Sequence, residues 1–275
     1  MIRTAWCLLC PALVLPLCAA DHGPVFGLGT PTNPKGGWSF NLGFNRRGGS
    51  GMLQAQLSYG LTENVKVTFS APLDVQADAH PPSSVTASTP FAGDFGFLGW
   101  YRFYRKDLKG KRVEATAMGG PVFSGPQQEV GNYRGFATGV GWTGGGVAGV
   151  ASRSYYVWGG GHYQWYPNVA GNQRPDLLTL TAVAGYRPFA WRTDYPRWDW
   201  RIFGELTAER AGRFRWQNVP LEQSRARQIF AGPSVLGVYR SIGIEAGVQF
   251  PLYRDVTSFY QRETYRAAIN LAYFF

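Results

Sequence analysis

Apolar and polar residues alternate one for one through segment after segment of this chain, and that period limits its fold more than any other feature. In "GGWSFNLGFNRR", Trp38, Phe40, Leu42 and Phe44 share one face. In "MLQAQLSYG", Leu53, Ala55, Leu57 and Tyr59 stand against Gln54, Gln56 and Ser58, and in "VKVTFSAPL", Val65, Val67, Phe69 and Ala71 stand against Lys66, Thr68 and Ser70. Successive side chains of a β-strand point to opposite sides, so a period of two describes a strand between two unlike environments. Three such segments in a row leave little room for a helical reading. The chain also ends this way: in "TYRAAINLAYFF", Tyr265, Ala267, Ile269, Leu271, Tyr273 and Phe275 alternate with residues that include Arg266 and Asn270.

The first twenty residues follow another rule. "MIRTAWCLLCPALVLPLCAA" has Arg3 near its start, an apolar run from Ala5 to Leu17 and a small-residue end. This is the layout of a secretory signal peptide, with cleavage expected before Asp21. The run is too short, and too interrupted by Pro11 and Pro16, to span a bilayer of about 30 Å. All three cysteines, Cys7, Cys10 and Cys18, lie within it, so residues 21–275 hold no thiol for a disulfide, a metal or a nucleophile. That remainder carries 26 Lys and Arg against 17 Asp and Glu, a net of +9, and reads as a single domain.

Beyond the signal the chain parses into twelve strands, each close to the 9–11 residues a tilted membrane strand needs. "DHGPVFGLGTPTNPKGG" before the first strand, rich in Gly and Pro, reads as a loop or a short periplasmic lead. With that lead in the periplasm, the stretches Asp74–Ala92, Gly125–Gly135, Pro167–Pro175, Ala211–Ala226 and Tyr253–Arg262 fall outside. Gly60–Asn64, Lys106–Lys111, Ala151–Ser154 and Arg240–Ser241 fall inside. Longer loops on one side and shorter turns on the other is the asymmetry of outer-membrane barrels. The turn "PFAWRTDYPRWDW" is the exception, long where a short one is expected.

Aromatic residues make up 16% of the chain, yet mean hydropathy is −0.19 and no apolar run after residue 20 reaches helix-spanning length. A secreted sandwich would also alternate. It would not ordinarily place Trp38, Tyr59, Tyr101, Tyr155, Tyr163, Tyr186, Trp200, Tyr265 and Tyr273 at strand ends, where amphipathic rings form the girdles of a lipid-facing sheet. The expectation is an all-β, antiparallel, up-and-down transmembrane barrel in a bacterial outer membrane. The terminal strand, with Phe275 last and Tyr273 third from the end, resembles the signal by which the assembly machinery of bacterial outer-membrane barrels recognises its clients. "LSYGLTENVKVTFSAPL" and "GDFGFLGWYRFYR" resemble outer-membrane transporters associated with the meta-pathway of phenol degradation. That family supplies no catalytic motif to carry over.

If the apolar face meets lipid, the other face lines the interior. Its ionisable residues are expected to be Lys66, Arg102, Glu114, Arg201, Glu205, Glu209, Glu245 and Arg266, four basic against four acidic. Such a set gives no one-signed ladder for strong anion selectivity, and its members can pair across a narrow space. A lumen of twelve strands lies between filled barrels and wide porins, leaving open a thin channel or a side-chain plug. The surplus positive charge falls in loops. "ERAGRFRWQNVPLEQSRAR" holds Arg210, Arg213, Arg215, Arg225 and Arg227, joined at the outer rim by Arg46 and Arg47. These fit an electrostatic funnel for anionic solutes or, the simpler reading, contact with outer-leaflet phosphates. The exported context argues against nucleic acid.

An enzyme is not expected. His22, His80 and His162 are the only histidines, no two at ligand spacing, and Ser154 lies eight residues along the strand from His162. No cofactor or metal is called for. The glycines of "GWTGGGVAGVA" lack the Lys-Ser/Thr ending of a phosphate loop. The function expected is a narrow passive channel for small solutes. The alternatives are a non-conducting barrel whose basic loops bind a ligand, lipid head groups or a partner, and a barrel hydrolase using His162.

Overall fold

The computed structural model describes residues 23–30, 32–75, 94–123, 140–192, 196–257, 260 and 262–275. The expected signal peptide and most of the first two long outer loops lie outside these. Twelve antiparallel strands close into a barrel. In chain order they are β1 (Trp38–Arg47), β2 (Ser50–Gly60), β3 (Val65–Val75), β4 (Phe95–Leu108), β5 (Lys111–Phe123), β6 (Gly141–Ser152), β7 (Tyr155–Trp165), β8 (Leu177–Tyr186) and β9 (Asp199–Ala211), then β12 (Ala226–Tyr239), β13 (Ile242–Val256) and β14 (Arg266–Phe274). A two-stranded ribbon, β10 (Arg215–Trp216) and β11 (Val219–Pro220), folds within the outer loop after β9.

Each strand pairs with its sequence neighbours, and β14 returns to β1 with Ser39 opposite Phe274 and Arg47 opposite Arg266. Closure leaves no unpaired edge, which an apolar bilayer cannot tolerate. The final residue takes part: Trp38 N–H donates to Phe275 O at 2.8 Å and Phe275 N–H to Trp38 O at 3.1 Å. The Trp38 and Phe275 rings lie parallel at 6.4 Å, with Tyr273 beside Phe275 at 5.6 Å. Two register shifts sit where a proline removes a donor. Gln54 faces Pro72 just past the β2–β3 shift, and Phe230 faces Pro251 just past the β12–β13 shift. A bulge absorbs the missing ladder bond locally while the rest of the register holds.

The alternation sorts as the sequence requires. Phe40, Phe44, Phe69, Leu180, Ile269 and Leu271 are exposed on the outside, where lipid covers them, while Gln54, Thr68, Thr116, Thr179, Gln249 and Asn270 are buried on the inside. The Gly-rich β6 turns Thr143 and Val147 inward. A charged residue on the outer face at mid-height must enter hydrocarbon. Leu206→Arg is therefore expected to cost about 2–4 kcal/mol of folding free energy in vesicles, and a variant as stable as the parent would mean that this face does not meet lipid.

Candidate functional site in the barrel lumen

The segment before β1 does not remain in the periplasm. Residues 23–30 and 32–34 run up inside the barrel, correcting the reading of that stretch as a loop or periplasmic lead. Gly60, the last residue of β2, lets the segment in: a Cβ there would lie 2.0 Å from the Pro34 carbonyl oxygen. Asn33 then donates to Ser39 Oγ at 3.1 Å and Thr32 to the Glu63 carbonyl at 3.2 Å. Higher up, Thr30 Oγ1 donates to Glu114 at 3.3 Å and accepts from Trp158 Nε1 at 3.1 Å. Thr116 donates to the Thr30 carbonyl at 3.2 Å, and Leu28 N–H donates to Thr181 Oγ1 at 3.1 Å.

The segment ends on a carboxylate. Val25, Phe26 and Gly27 donate their backbone N–H groups to Glu205 at 2.8, 2.7 and 2.6 Å, and the Ser234 hydroxyl also contacts it. Glu205 is 2% exposed. A charge so deeply buried survives only with strong donors around it, and a run of consecutive N–H groups supplies them without a counter-ion. Gly27 is required by the approach, because a Cβ there would lie 2.2 Å from Val183 Cγ2.

Apolar contact fixes the plug sideways. Leu28 joins Leu98, Trp100, Met118, Val147, Tyr156, Trp158, Val183, Phe203 and Leu236 in one buried cluster, so the β4–β9 half of the interior is filled. Val25 and Phe26 pack on Ala268 of β14. The opposite wall, from β14 through β3, is polar instead: Asn41, Asn45, Gln54, Gln56, Ser58, Ser70 and Asn270 face the interior.

All eight ionisable residues expected to line a pore face inward, Arg201 half-buried near the periplasmic end. Two pairs form within the set, Arg102 with Glu114 and Arg266 with Glu209, and the other four residues are held by groups outside it. Arg102 pairs with Glu114 at 3.0 Å and donates to Asn64 at 3.1 Å. Lys66 holds its ammonium 4.9 Å from the centre of the Trp100 ring. Arg201 pairs with Asp199 at 3.1 Å, and Asn270 donates to Glu245 at 3.0 Å. Near the outer mouth Arg266 binds Glu209 at 2.6 Å and Glu263 at 2.7 Å, with its guanidinium over Phe230.

Arg47 corrects a second expectation. It is not a free rim cation, because it stands directly opposite Arg266 and both turn to Glu263. Two like charges in cross-strand register need an anion between them, and Glu263, which by sequence fell neither in the outer stretch Tyr253–Arg262 nor in the closing strand, provides it. Burial opposes the Glu263 carboxylate, but Arg266 and Arg47 outweigh it and hold its carboxyl down to about 2. Of the remaining rim residues, Arg213 pairs at the surface with Glu222 at 2.7 Å, while Arg46, Arg215 and Arg225 are exposed.

Two further groups close the outer end. Arg174 lies over Tyr166 at 4.2 Å and pairs with Asp94 at 2.9 Å. Phe214 and Tyr260 fold from outer loops onto Leu177, Ala211 and Ala226 at the tops of β8, β9 and β12. Sequence reasoning missed these residues and the whole plug. The short apolar run "PVFGLG" between prolines was the one available signal.

By sequence the chain matches no family model and no curated protein. By structure it is similar to an outer-membrane channel from Pseudomonas putida F1 at 13% identity, covering 89% of this chain and 97% of that one with a TM-score of 0.59. It is also similar to the NanC porin at 8% identity, covering 86% and 98% with a TM-score of 0.51. The fold is that of the bacterial outer-membrane barrels, in accord with the outer-membrane location expected from the sequence. LpxR from Salmonella typhimurium, with 10% identity, coverage of 86% and 100% and a TM-score of 0.45, is too distant to carry an argument.

Glu263→Gln leaves Arg47 and Arg266 opposed with one carboxylate fewer, and is expected to cost about 3–5 kcal/mol in urea unfolding from vesicles at neutral pH. The carboxyl is depressed in the fold, so its contribution is complete above the ordinary value of 4.5 and fades as pH falls toward about 2. Parent and variant should therefore converge over that acid window. A constant gap would assign the loss to something other than this charge.

Proposed function

We propose that the protein is a narrow passive channel for small solutes, closed at rest by its own N-terminal segment. The observation that carries this reading is the plug itself, held on Glu205 by three backbone N–H groups, with Val25 and Phe26 packed on Ala268 of β14. Through Leu28 it lies against the apolar half of the lumen, through Val25 and Phe26 it touches β14, and its displacement would open the amide-lined wall as the route. Glu245 and Asn270 would face a solute there, with Glu209 and Arg266 above them. The opposed charges of this wall favour neutral or weakly charged solutes over either ion sign.

The same reading makes the protein a transporter and not an enzyme. Supporting it, the inward carboxylates Glu114, Glu205, Glu209 and Glu245 are all occupied as acceptors for the plug, a guanidinium or an amide, rather than grouped beside His162. The segments resembling the meta-pathway transporters form the end of β2, β3 and β4, of which β2 and β3 belong to the wall along the proposed route, and that resemblance accords with transport of small molecules. Assembly through Tyr273 and Phe275 belongs to the proposal as well, both lying at the closing seam.

Single-channel current in a planar bilayer tests it. The parent is expected to show brief, low openings. Deleting residues 23–33 should give sustained current of about tenfold longer dwell, as expected when an interaction of about 1.4 kcal/mol or more is removed. Glu245→Gln in that background should then shift the reversal potential toward anions. A folded, inserted and silent deletion variant would refute the channel and favour the reading in which the outer loops bind a ligand.

A further inference from the structure

The barrel contains a second cross-strand pair of arginines. Arg210 of β9 stands directly opposite Arg227 of β12, next to the outer ends of both strands. Both side chains are exposed on the outward face, since their strand neighbours Glu209, Ala211, Ala226 and Gln228 are buried toward the interior. Like charges in register repel. Inside the barrel the equivalent pair, Arg47 and Arg266, is bridged by Glu263. Outside, neither Arg210 nor Arg227 has an ion pair or side-chain hydrogen bond among the described residues. Asp255 lies across from Arg227 on β13 in the register without forming an ion pair with it.

The surroundings indicate what takes the place of Glu263 there. In the row below, Leu180, Ala208, Ile229 and Tyr253 lie side by side across β8, β9, β12 and β13 and point outward. Beneath them a shallow concavity of about 540 Å³ is lined by Val157, Ala182, Ala184, Gly204, Leu206 and Ala231. In the Arg210 row, Leu178 is its neighbour on β8, and Tyr163 beyond it donates to Asp176 at 2.7 Å, the position of an interfacial aromatic. Paired guanidiniums at head-group level above a strip of apolar surface match a molecule with a phosphate at one end and acyl chains below it.

We propose that Arg210 and Arg227 form a specific site for a phosphate carried by an outer-leaflet glycolipid, whose acyl chain lies in the concavity below. One phosphate bridges the two guanidiniums, each donating two N–H groups, and removes the repulsion between them. The site lies on the barrel's exterior and is independent of the state of the lumen.

Native mass spectrometry of the full protein in mild detergent tests the site with three probes: bisphosphorylated lipid A, the same lipid stripped of its phosphates, and inorganic phosphate. The parent should retain the phosphorylated lipid, and the Arg210→Gln/Arg227→Gln variant about tenfold less, the loss of a contact of about 1.4 kcal/mol. The stripped lipid should bind the parent no better than the variant, and inorganic phosphate should not displace the lipid. Arg215→Gln/Arg225→Gln, which removes two loop charges from the same rim, should retain lipid like the parent. If the double variant does not fold, Arg210→Gln alone must still lower retention. Equal retention by parent and variant overturns the proposal. Displacement by inorganic phosphate assigns the pair to a soluble anion and overturns the lipid assignment, and equal loss in the loop variant reduces the effect to general charge.

Discussion

A carboxylate placed on the inward face of a twelve-stranded wall must find hydrogen-bond donors or not ionise, and much of this structure follows from how Glu205 finds them. Among the described residues no cation stands in register to serve it: its cross-strand partners are Val183 on β8 and Gly232 on β12. The chain brings its own N-terminal backbone to that point instead. Once Val25, Phe26 and Gly27 are seated there, residues 28–30 follow Thr181, Thr116 and Trp158, and residues 32–34 leave past Gly60. The apolar cluster around Leu28 is then the packing consequence, because the inward faces of β4 to β9 supply Trp100, Trp158 and Phe203 where a water-filled pore would want polar groups.

The division of the interior follows. One half is apolar and filled, the other is lined by amides and hydroxyls, and each inward ionisable residue is held locally, by an ion pair, an amide, a ring or backbone N–H groups. Such a lumen presents little net field. The plug is also the element best able to move. It is joined to the wall by side-chain hydrogen bonds rather than a ladder, whereas each barrel strand is paired on both edges. Local opening free energies in proteins track this kind of difference.

The barrel was legible in the sequence because the period of two is imposed by a sharp physical contrast, lipid against polar interior, on every strand. That contrast fixed twelve strands, their faces and the inward set from Lys66 to Arg266. It could not show partners. Glu263 sits in a non-repeating segment, so no period assigns its side chain a side, and only the closure of β14 on β1 brings Arg47 to it. The plug was hidden for a related reason. Its function rests on main-chain N–H groups, which every residue but proline carries, and its glycines read equally well as a loop. Gly27 and Gly60 become informative only when Val183 and the Pro34 carbonyl are placed against them.

Residues 21–275 contain no cysteine, which allows a direct test of where the N-terminal segment lies. A Cβ at position 27 falls close enough to the Val183 side chain for a disulfide, so Gly27→Cys with Val183→Cys can tie the plug to β8. The measurement is current through one inserted barrel of this double variant, first oxidised and then after adding a reductant. The account predicts a cross-link that forms readily, no current while it is intact, and openings after reduction. Failure of the pair to cross-link in the folded protein, or equal current in both states, would contradict a lumen closed by its own N-terminal segment.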